Sequence, residues 1–234
     1  MRAGTLALLA GVMVAGVGCS DSEQAAADAA AEQKREAAMS ELSKKGYHSV
    51  EPVMVPQAAA SGNAEVLRLL LDAGMPVDFT NEKSKGQTAL FSVVQGIGIM
   101  NDPDRKNGYV ECAKLLLEAG ANVNKKADSG RTPLAEVMFY LEDPETASIR
   151  RQLLEVAQLY VEAGADVNVR NYEGGSFLLF AAVENDDKAL LKILLSSPKV
   201  DVNVKDEYGD TALRFAMEND LTGCAALLRK AGAK

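Results

Sequence analysis

A short phrase in the second half of the chain decides its architecture. Residues 163–168 read Ala-Gly-Ala-Asp-Val-Asn, and variants of the phrase end at Asn124 and at Asn203. Each copy follows an apolar run with helical spacing and precedes a Gly-x-Thr/Ser-x-Leu segment, as at residues 130–134 and 209–213. Repetition of this kind predicts a stack of small units that bury their apolar faces against one another. A stack of this kind favours binding over chemistry as the function.

These motifs resemble the ankyrin repeat. In that family Thr-Pro-Leu-His opens a first helix, a turn leads to a second helix, and Gly-Ala-Asp-Val-Asn enters a β-hairpin finger. The resemblance implies an all-α ankyrin-repeat solenoid over roughly residues 50–234, with five repeats, short β-hairpin fingers and an N-terminal capping helix. The first helices are then expected to start near Val55, Leu90, Leu134, Leu178 and Leu213.

Local chemistry agrees with this spacing. Hydroxyl side chains stand where four of the first helices would be capped, at Thr88, Thr132, Ser176 and Thr211. Glycines stand where a left-handed residue ends the second helices, at Gly74, Gly120, Gly164 and Gly232. Between the two helices of a unit, we expect the left-handed conformation at Gly62, Asn185 and Asp220.

The N-terminus carries a second signal. Met1-Arg2 precedes 13 apolar or small residues from Leu6 to Gly18, and Cys19 follows. This pattern is typical of a secretory signal and is too short for a comfortable membrane span. The small residues before Cys19 resemble a bacterial lipoprotein signal, which implies that Cys19 becomes the lipidated first residue. Gly16 departs from the larger aliphatic residue of that family, so an ordinary signal peptide cut near Gly18 or after Cys19 is the alternative.

The sequence divides into three parts. We predict a signal peptide over residues 1–18, a flexible tether over 19–35 and an ankyrin-repeat domain over 36–234. The tether is predicted because residues 20–33 are only Ala, Glu, Gln, Asp and Ser, a composition typical of disordered or loosely helical chain. The expected location is the bacterial periplasm, with a lipid anchor in the inner or the outer membrane.

Composition and residue content exclude several functions. The net charge of −8 argues against binding nucleic acid or anionic lipid through the bulk field, and it weakly favours a basic partner. His48 is the only histidine, so His-based triads and multi-histidine metal sites are excluded. Gly96-Ile97-Gly98 lacks the third glycine of a dinucleotide loop, and the acidic segment 102–108 is out of register with a calcium loop. We therefore expect a monomeric, non-enzymatic protein without cofactor or metal.

Cysteine content predicts no disulfide within the chain. Cys112 and Cys224 fall in second helices three units apart, beyond the reach of an S–S bond. We expect both thiols to be small buried groups.

Units 2 and 3 are longer than the others. The span from the first-helix Leu to the closing Gly is 30 residues in each, at 90–120 and 134–164, against 19 in unit 5, at 213–232. The excess of 11 residues equals about three helical turns. Either neighbouring units extend together and pack their additions side by side, or they carry two tolerated loop insertions. Three apolar residues of these additions are candidate contacts with a partner: Met100, Tyr109 and Tyr140.

The resemblance also implies a partner surface made of the finger tips and the exposed side of the first helices. On the fingers it points to Phe79, Lys126, Arg170, Tyr172 and Tyr208. On the first helices it points to Phe91, Leu179 and Arg214, which replace the histidine of the family. Aromatic residues and Arg are the types that anchor interfaces. The expected function is binding of an unidentified protein at the envelope, with two narrower alternatives: an immunity protein against a periplasm-acting toxin, or a scaffold or stabiliser of an envelope enzyme.

Overall fold

The repeat units form as predicted. A computed structural model describes residues 21–100, 106–143, 147–170 and 176–234. Within these ranges there are eleven α-helices: α1 (Asp21–Lys44), α2 (Met54–Ala60), α3 (Ala64–Asp72), α4 (Ala89–Met100), α5 (Lys106–Glu118), α6 (Pro133–Leu141), α7 (Arg150–Glu162), α8 (Leu178–Glu184), α9 (Lys188–Leu195), α10 (Ala212–Glu218) and α11 (Thr222–Lys230). Five helix pairs, from α2/α3 to α10/α11, follow the helix α1. The all-α solenoid of five repeats with an N-terminal helix is confirmed.

The core lies between two rows of helices. The second helices α3, α5, α7, α9 and α11 contact one another in order, and each first helix packs on the second helix of its own unit. One apolar cluster runs from Ala38 to Leu228, so the units share a continuous core. The described parts of the fingers contain no regular strand, only isolated antiparallel bridges at Arg170–Phe177 and Lys205–Thr211.

The repeated phrase recurs because it joins neighbouring units by hydrogen bonds. In each case the last polar side chain of one phrase accepts from a backbone N–H further along the chain, at donor–acceptor distances of 2.7 to 3.0 Å: Asp78 from Asn122, Asn124 from Asp166, Asn168 from Asp201, and Asn203 from Lys234. Asn124 and Asn168 also donate from Nδ2 to the backbone oxygens of Gly164 and Lys199. An amide side chain both accepts and donates, which an ionised carboxylate does not. We call this series of contacts the Asn clamp.

Two of the four predicted N-caps are confirmed. The Thr132 and Thr211 hydroxyl oxygens accept from the backbone N–H groups three residues on. Ser176 was expected to cap α8, but Phe177 holds that position and the Ser176 hydroxyl contacts Glu184 at 3.4 Å instead. The Thr88 hydroxyl is buried and has no hydrogen-bond partner among the described residues, so it is not a cap.

The left-handed positions follow the prediction with one shift. Gly62 and Asp220 have φ of 63° and 57°, and the glycines that end the second helices also have positive φ. Between α8 and α9 the left-handed residue is Asp186, with φ of 48°, rather than Asn185. Asn185 stays right-handed because it ends α8, where its side chain donates to the Ala181 carbonyl oxygen at 2.9 Å.

The excess length of units 2 and 3 is mainly helix. Helix α4 has 12 residues where α2 has 7, and α5 has 13 where α3 has 9, so nine of the eleven extra residues of unit 2 are helical. In unit 3, α6 has 9 residues and α7 has 13, so six extra residues are helical and the connection takes the other five.

Glycines let the lengthened helices approach their neighbours. A Cβ on Gly96 would overlap the backbone oxygen of Ala60, and a Cβ on Gly98 would overlap the ring of Tyr140. The added turns of α4 therefore pack on unit 1 and on unit 3. This close approach favours side-by-side packing of extended units over tolerated loop insertions.

Helix α1 packs against α3 through its C-terminal half. Ala38 and Leu42 are buried. The ion pairs Lys34–Asp72 and Lys45–Glu65, at 2.8 and 2.7 Å, flank them. Residues 23–37 are exposed and helical, so the described part of the predicted tether belongs to α1.

The predicted signal peptide and Cys19 lie outside the described residues and stay predictions. Among the helices that the structure describes, none combines the length and the apolar character needed to cross a bilayer.

We expect Asn168→Ala to lower the free energy of unfolding by about 1–2 kcal/mol, because it removes two hydrogen bonds between units. Asn203→Ala is the matched control. Asn203 ends the last phrase and accepts one bond, from Lys234, so its loss should be less than about 1 kcal/mol. Urea unfolding measures both, and equal losses would contradict the role of the clamp.

We expect Gly96→Ala to destabilise the fold by about 1–3 kcal/mol through overpacking. In an open helix the same change would stabilise by about 1 kcal/mol. Gly223→Ala serves as the comparison, since its added Cβ meets only the end of the flexible Lys188 side chain. Thermal unfolding should therefore show a lowered midpoint for Gly96→Ala alone.

Candidate protein-binding surface

The first helices are spaced more widely at the junction of units 3 and 4 than at the other junctions. Neighbouring first helices approach closely in the pairs α2/α4, α4/α6 and α8/α10, whereas the backbones of α6 and α8 make far less contact. Side chains fill the space between them, since residues 133–138 and 178–183 are all buried. In the row of second helices, α7 and α9 stay in contact, and the ion pair Arg150–Asp187 joins them at 2.5 Å. The wider spacing therefore lies on the first-helix side only.

Two cavities open at this junction. One, of about 610 Å³, lies between the finger that precedes α6 and the finger that precedes α8. The other, of about 400 Å³, lies at the opposite end of the same helices, between Leu141 and Lys188. We call the first one the finger groove. Its described lining is Lys126, Asp128, Ser129, Gly130, Arg131, Asp166, Asn168, Val169, Arg170 and Phe177.

Two arginines of the finger groove stack on aromatic rings. The Arg170 guanidinium lies 4.6 Å from the centroid of Phe177, and that of Arg131 lies 4.9 Å from the centroid of Phe139. A cation over an aromatic face at an exposed site contributes about 0.5–1 kcal/mol. Phe139 is 53% exposed, so an aromatic ring and a cation are presented together to solvent.

A buried carboxylate holds Arg131 in place. Glu136 is 3% exposed, and its Oε2 lies 3.1 Å from Nη1 of Arg131. Its other oxygen accepts from Nε2 of Gln95 at 3.1 Å, which ties the pair to helix α4. Removing one member of a buried pair leaves the other charge unpaired at high cost. Glu136 therefore positions Arg131 beside Phe139.

The structure brings two of the predicted contact residues together. Lys126 and Arg170 are exposed and both line the finger groove. Tyr208 is 87% exposed at the last finger, and Arg214 on α10 is ion-paired with Asp210 and Glu218 at 2.6 and 2.9 Å. These two residues lie in unit 5, away from the groove.

Two further candidates are half-buried. Phe79 lines a separate cavity of about 590 Å³ with Pro52 and Val53 in unit 1. Tyr140 packs edge-to-face on Phe139, with the ring centroids 5.3 Å apart. Of the two, only Tyr140 lies beside the Arg131–Phe139 pair.

Three predicted contact residues are not accessible. Phe91, Tyr109 and Leu179 are 0%, 1% and 2% exposed. Tyr109 is enclosed because it packs against Gly62 and Gly96, and Phe91 and Leu179 sit in the first turns of α4 and α8, where they are buried. Their prediction as surface contacts was wrong. Tyr172 and the side chain of Met100 lie outside the described residues.

Sequence reasoning did not select Arg131 and Phe139 as partner contacts. Both fall in the best-matched repeat, where the spacing of Arg131 fits a capped first helix and Phe139 is one of several apolar residues expected to pack. One feature of the sequence could have drawn attention to Phe139. It lies three residues after Glu136, so an aromatic ring and a carboxylate share one helix face.

The described residues place no group of three or more His, Cys, Asp or Glu side chains where it could hold a metal ion. His48 is exposed, and its Nδ1 lies 3.3 Å from the Ser43 hydroxyl. The acidic segment considered as a calcium loop lies partly outside the described residues.

Both described thiols are in surroundings that make them poor nucleophiles. Cys112 and Cys224 are buried and free. Burial raises the pKa of Cys112 to about 12. Burial, and then the hydrogen bond to Asp186, raise the pKa of Cys224 to about 11. Reaction with an electrophile needs the thiolate, which is scarce at neutral pH in both cases.

A profile described as Ankyrin repeats (3 copies) matches residues 56–140 and 146–234. Cortactin-binding protein 2 of Rattus norvegicus is 36% identical over 84 residues, which are 36% of this chain and 4% of that protein. Cortactin-binding protein 2 of Plecturocebus moloch is 36% identical over 74 residues, or 31% of this chain and 4% of that protein. The match thus spans a small fraction of these relatives.

We expect Cys112 and Cys224 to resist alkylation by iodoacetamide at pH 8 in the native protein and to react fully in urea, because unfolding returns both thiols to a pKa of about 8.5. Mass spectrometry of the peptides reads each cysteine separately. Rapid native labelling of either thiol would contradict its burial.

Proposed function

The chain belongs to the ankyrin-repeat family, and on that premise we propose that it is an exported protein-binding module, tethered to a membrane of the bacterial envelope through a lipid on Cys19. Ankyrin repeats form a protein–protein interaction fold. The tether and the compartment are the proposed parts, and the N-terminal sequence pattern supports both.

The finger groove is the observation that supports the proposed location of the binding site. Arg131 with Phe139, and Arg170 with Phe177, present cations next to aromatic rings on a rigid support. Arg and aromatic residues are the types that most often dominate binding energy when a partner covers them. The groove lies between the fingers that precede α6 and α8, where the first helices are spaced most widely.

The local charge of the groove defines the partner's contact. Three cations line it, at Lys126, Arg131 and Arg170, against the carboxylates of Asp128 and Asp166. The buried Glu136 pairs with Arg131 from below, and Lys126 and Arg170 are the exposed cations of the groove lining. We propose that the groove receives a carboxylate flanked by an apolar group. The net charge of −8 still favours a partner that is basic elsewhere, since charge steers association at longer range.

The relatives support binding of a protein in general terms. Their name describes binding of cortactin, and the matched segment consists of repeats of the same kind. Because that segment is 4% of their length, the identity of their partner is not transferred to this chain. The kind of protein that the groove captures distinguishes the two narrower functions, which are toxin neutralisation and support of an envelope enzyme.

We expect Arg170→Ala to reduce recovery of the partner at least tenfold in a pull-down from detergent-solubilised membranes of the native organism, which corresponds to a loss of about 1.4 kcal/mol. Arg151→Ala is the matched control, because Arg151 is exposed on α7 and pairs only weakly with Glu155, at 3.7 Å. Both variants should unfold within a few degrees of the wild-type temperature, since the stack of Arg170 on Phe177 contributes about 0.5–1 kcal/mol.

Equal recovery by the wild type and Arg170→Ala would remove the finger groove as the binding site. Mass spectrometry of the captured protein then identifies it as a toxin or as an envelope enzyme. Capture that is lost with Arg214→Ala instead would place the contact in unit 5.

A further inference from the structure

We infer that α1 is a rigid spacer that points the finger end of the stack toward the membrane, so that the partner is a protein held at that same membrane. This inference rests on the proposed function, because it takes the N-terminus as the point of attachment. It specifies the direction in which the tether leaves the repeat stack, and it places the partner at the membrane.

Helix α1 runs antiparallel to the second helices. Lys34 pairs with Asp72 at the C-terminal end of α3, whereas Lys45, just beyond α1, pairs with Glu65 at the N-terminal end of α3. The second helices themselves run parallel to one another. Arg150 at the start of α7, for example, pairs with Asp187 at the start of α9.

The N-terminal half of α1 therefore leaves the stack at the finger end. Each finger segment links the C-terminal end of a second helix to the next first helix, as residues 121–132 do between α5 and α6. The Asn clamp lies at this same end. Lys34 pairs with Asp72 at that end of α3, and residues 23–33 before it are exposed, so they project beyond Asp72.

The projecting segment has the properties of a stiff arm. It is rich in Ala, the strongest helix former. An isolated helix of this length would be marginal, but this one continues from a docked segment that removes the cost of nucleation. Gln24 donates to Asp28 at 3.1 Å one turn on. The 13 residues from Asp21 to Gln33 span about 20 Å.

The arm, residues 21–33, lacks an apolar face that could pack on a bilayer surface or on the repeat stack. Residues 23–37 are exposed, and the segment mixes Ala with charged residues on all sides. A helix that is polar all round spans solvent between two bodies. Cys19 stands two residues before Asp21 in the sequence. A lipid there would hold the finger end about 20 Å from the membrane.

The finger groove then opens on the membrane side of the molecule. Its exposed cations, Lys126 and Arg170, lie at the end from which the arm leaves. A stand-off of about 20 Å exceeds the Debye length of about 8 Å at physiological salt. Direct attraction to lipid head groups is therefore screened, and a membrane-held protein with an exposed carboxylate fits the gap.

A vesicle experiment tests the direction of the arm. The protein carries a hexahistidine tag in place of residues 1–18 and Ser at position 19, and it binds phosphatidylcholine vesicles that contain nickel-chelating lipid and an acceptor dye. A donor dye is placed on Lys126→Cys at a finger, or on Asn185→Cys at the opposite end. The native thiols Cys112 and Cys224 are buried and stay unlabelled.

We expect about twofold higher energy transfer from position 126 than from position 185, because α9 and the other second helices separate the two ends by about 12–20 Å. Replacing residues 24–31 by Gly and Ser, with the docked segment kept, should abolish the difference. Equal or reversed transfer with the intact arm would overturn the inference. Binding to anionic vesicles without nickel lipid, lost with Lys126→Ala, would also overturn it by making lipid the ligand.

Failure of this inference and failure of the proposed function are distinguishable. The tag imposes the attachment, so the vesicle result reports on the arm alone. Lipidation of Cys19 is read separately, from the mass of the N-terminal peptide of the protein expressed in its native organism.

Discussion

The fold depends on a short-range constraint: no unit can bury its apolar face without the next. The Asn clamp sets how that next unit is placed. Asn124 and Asn168 each accept from one backbone group of the following unit and donate to another, so they fix both the spacing and the register of the stack. Such bonds contribute about 1 kcal/mol each, while burial of the Leu, Val and Ala side chains between the rows supplies the larger share. Burial drives the stacking, and the clamp selects one geometry for it.

The central units show how a regular stack acquires an individual surface. Their second helices are longer, and glycines in α4 allow the additional turns to pack without steric overlap. The result is a broad, rigid middle section. Beside it, α6 and α8 are spaced more widely than the other neighbouring first helices, and the finger groove lies where two arginine–aromatic pairs stand. The candidate site therefore arises at the border between extended and ordinary units.

Much of the fold was predictable because its determinants are local. Glycine at helix ends and Thr132 or Thr211 at N-caps act within three or four residues, and sequence spacing reports them directly. The candidate site was less predictable because accessibility depends on neighbours that are distant in sequence. Phe91 and Tyr109 are of the residue types that anchor interfaces, yet the packing of adjacent units buries them. Lys126 and Arg170 are exposed, as their place on the fingers implies, and their contact with a partner stays a prediction. The exposure of Phe139 depends on its tertiary surroundings, which no local pattern reveals.

The wide spacing of α6 and α8 also bears on how the stack unfolds. In a linear array, cooperativity depends on the coupling of each unit to the next. At the other junctions both the first helices and the second helices of neighbouring units approach closely, whereas units 3 and 4 are joined by α7 with α9, by the Arg150–Asp187 pair and by the two hydrogen bonds of Asn168. We therefore expect the array to divide at this junction, into a block of three units and a block of two. A ligand that spans the groove touches both blocks, and its binding energy adds to their coupling, so occupancy makes the two blocks melt as one.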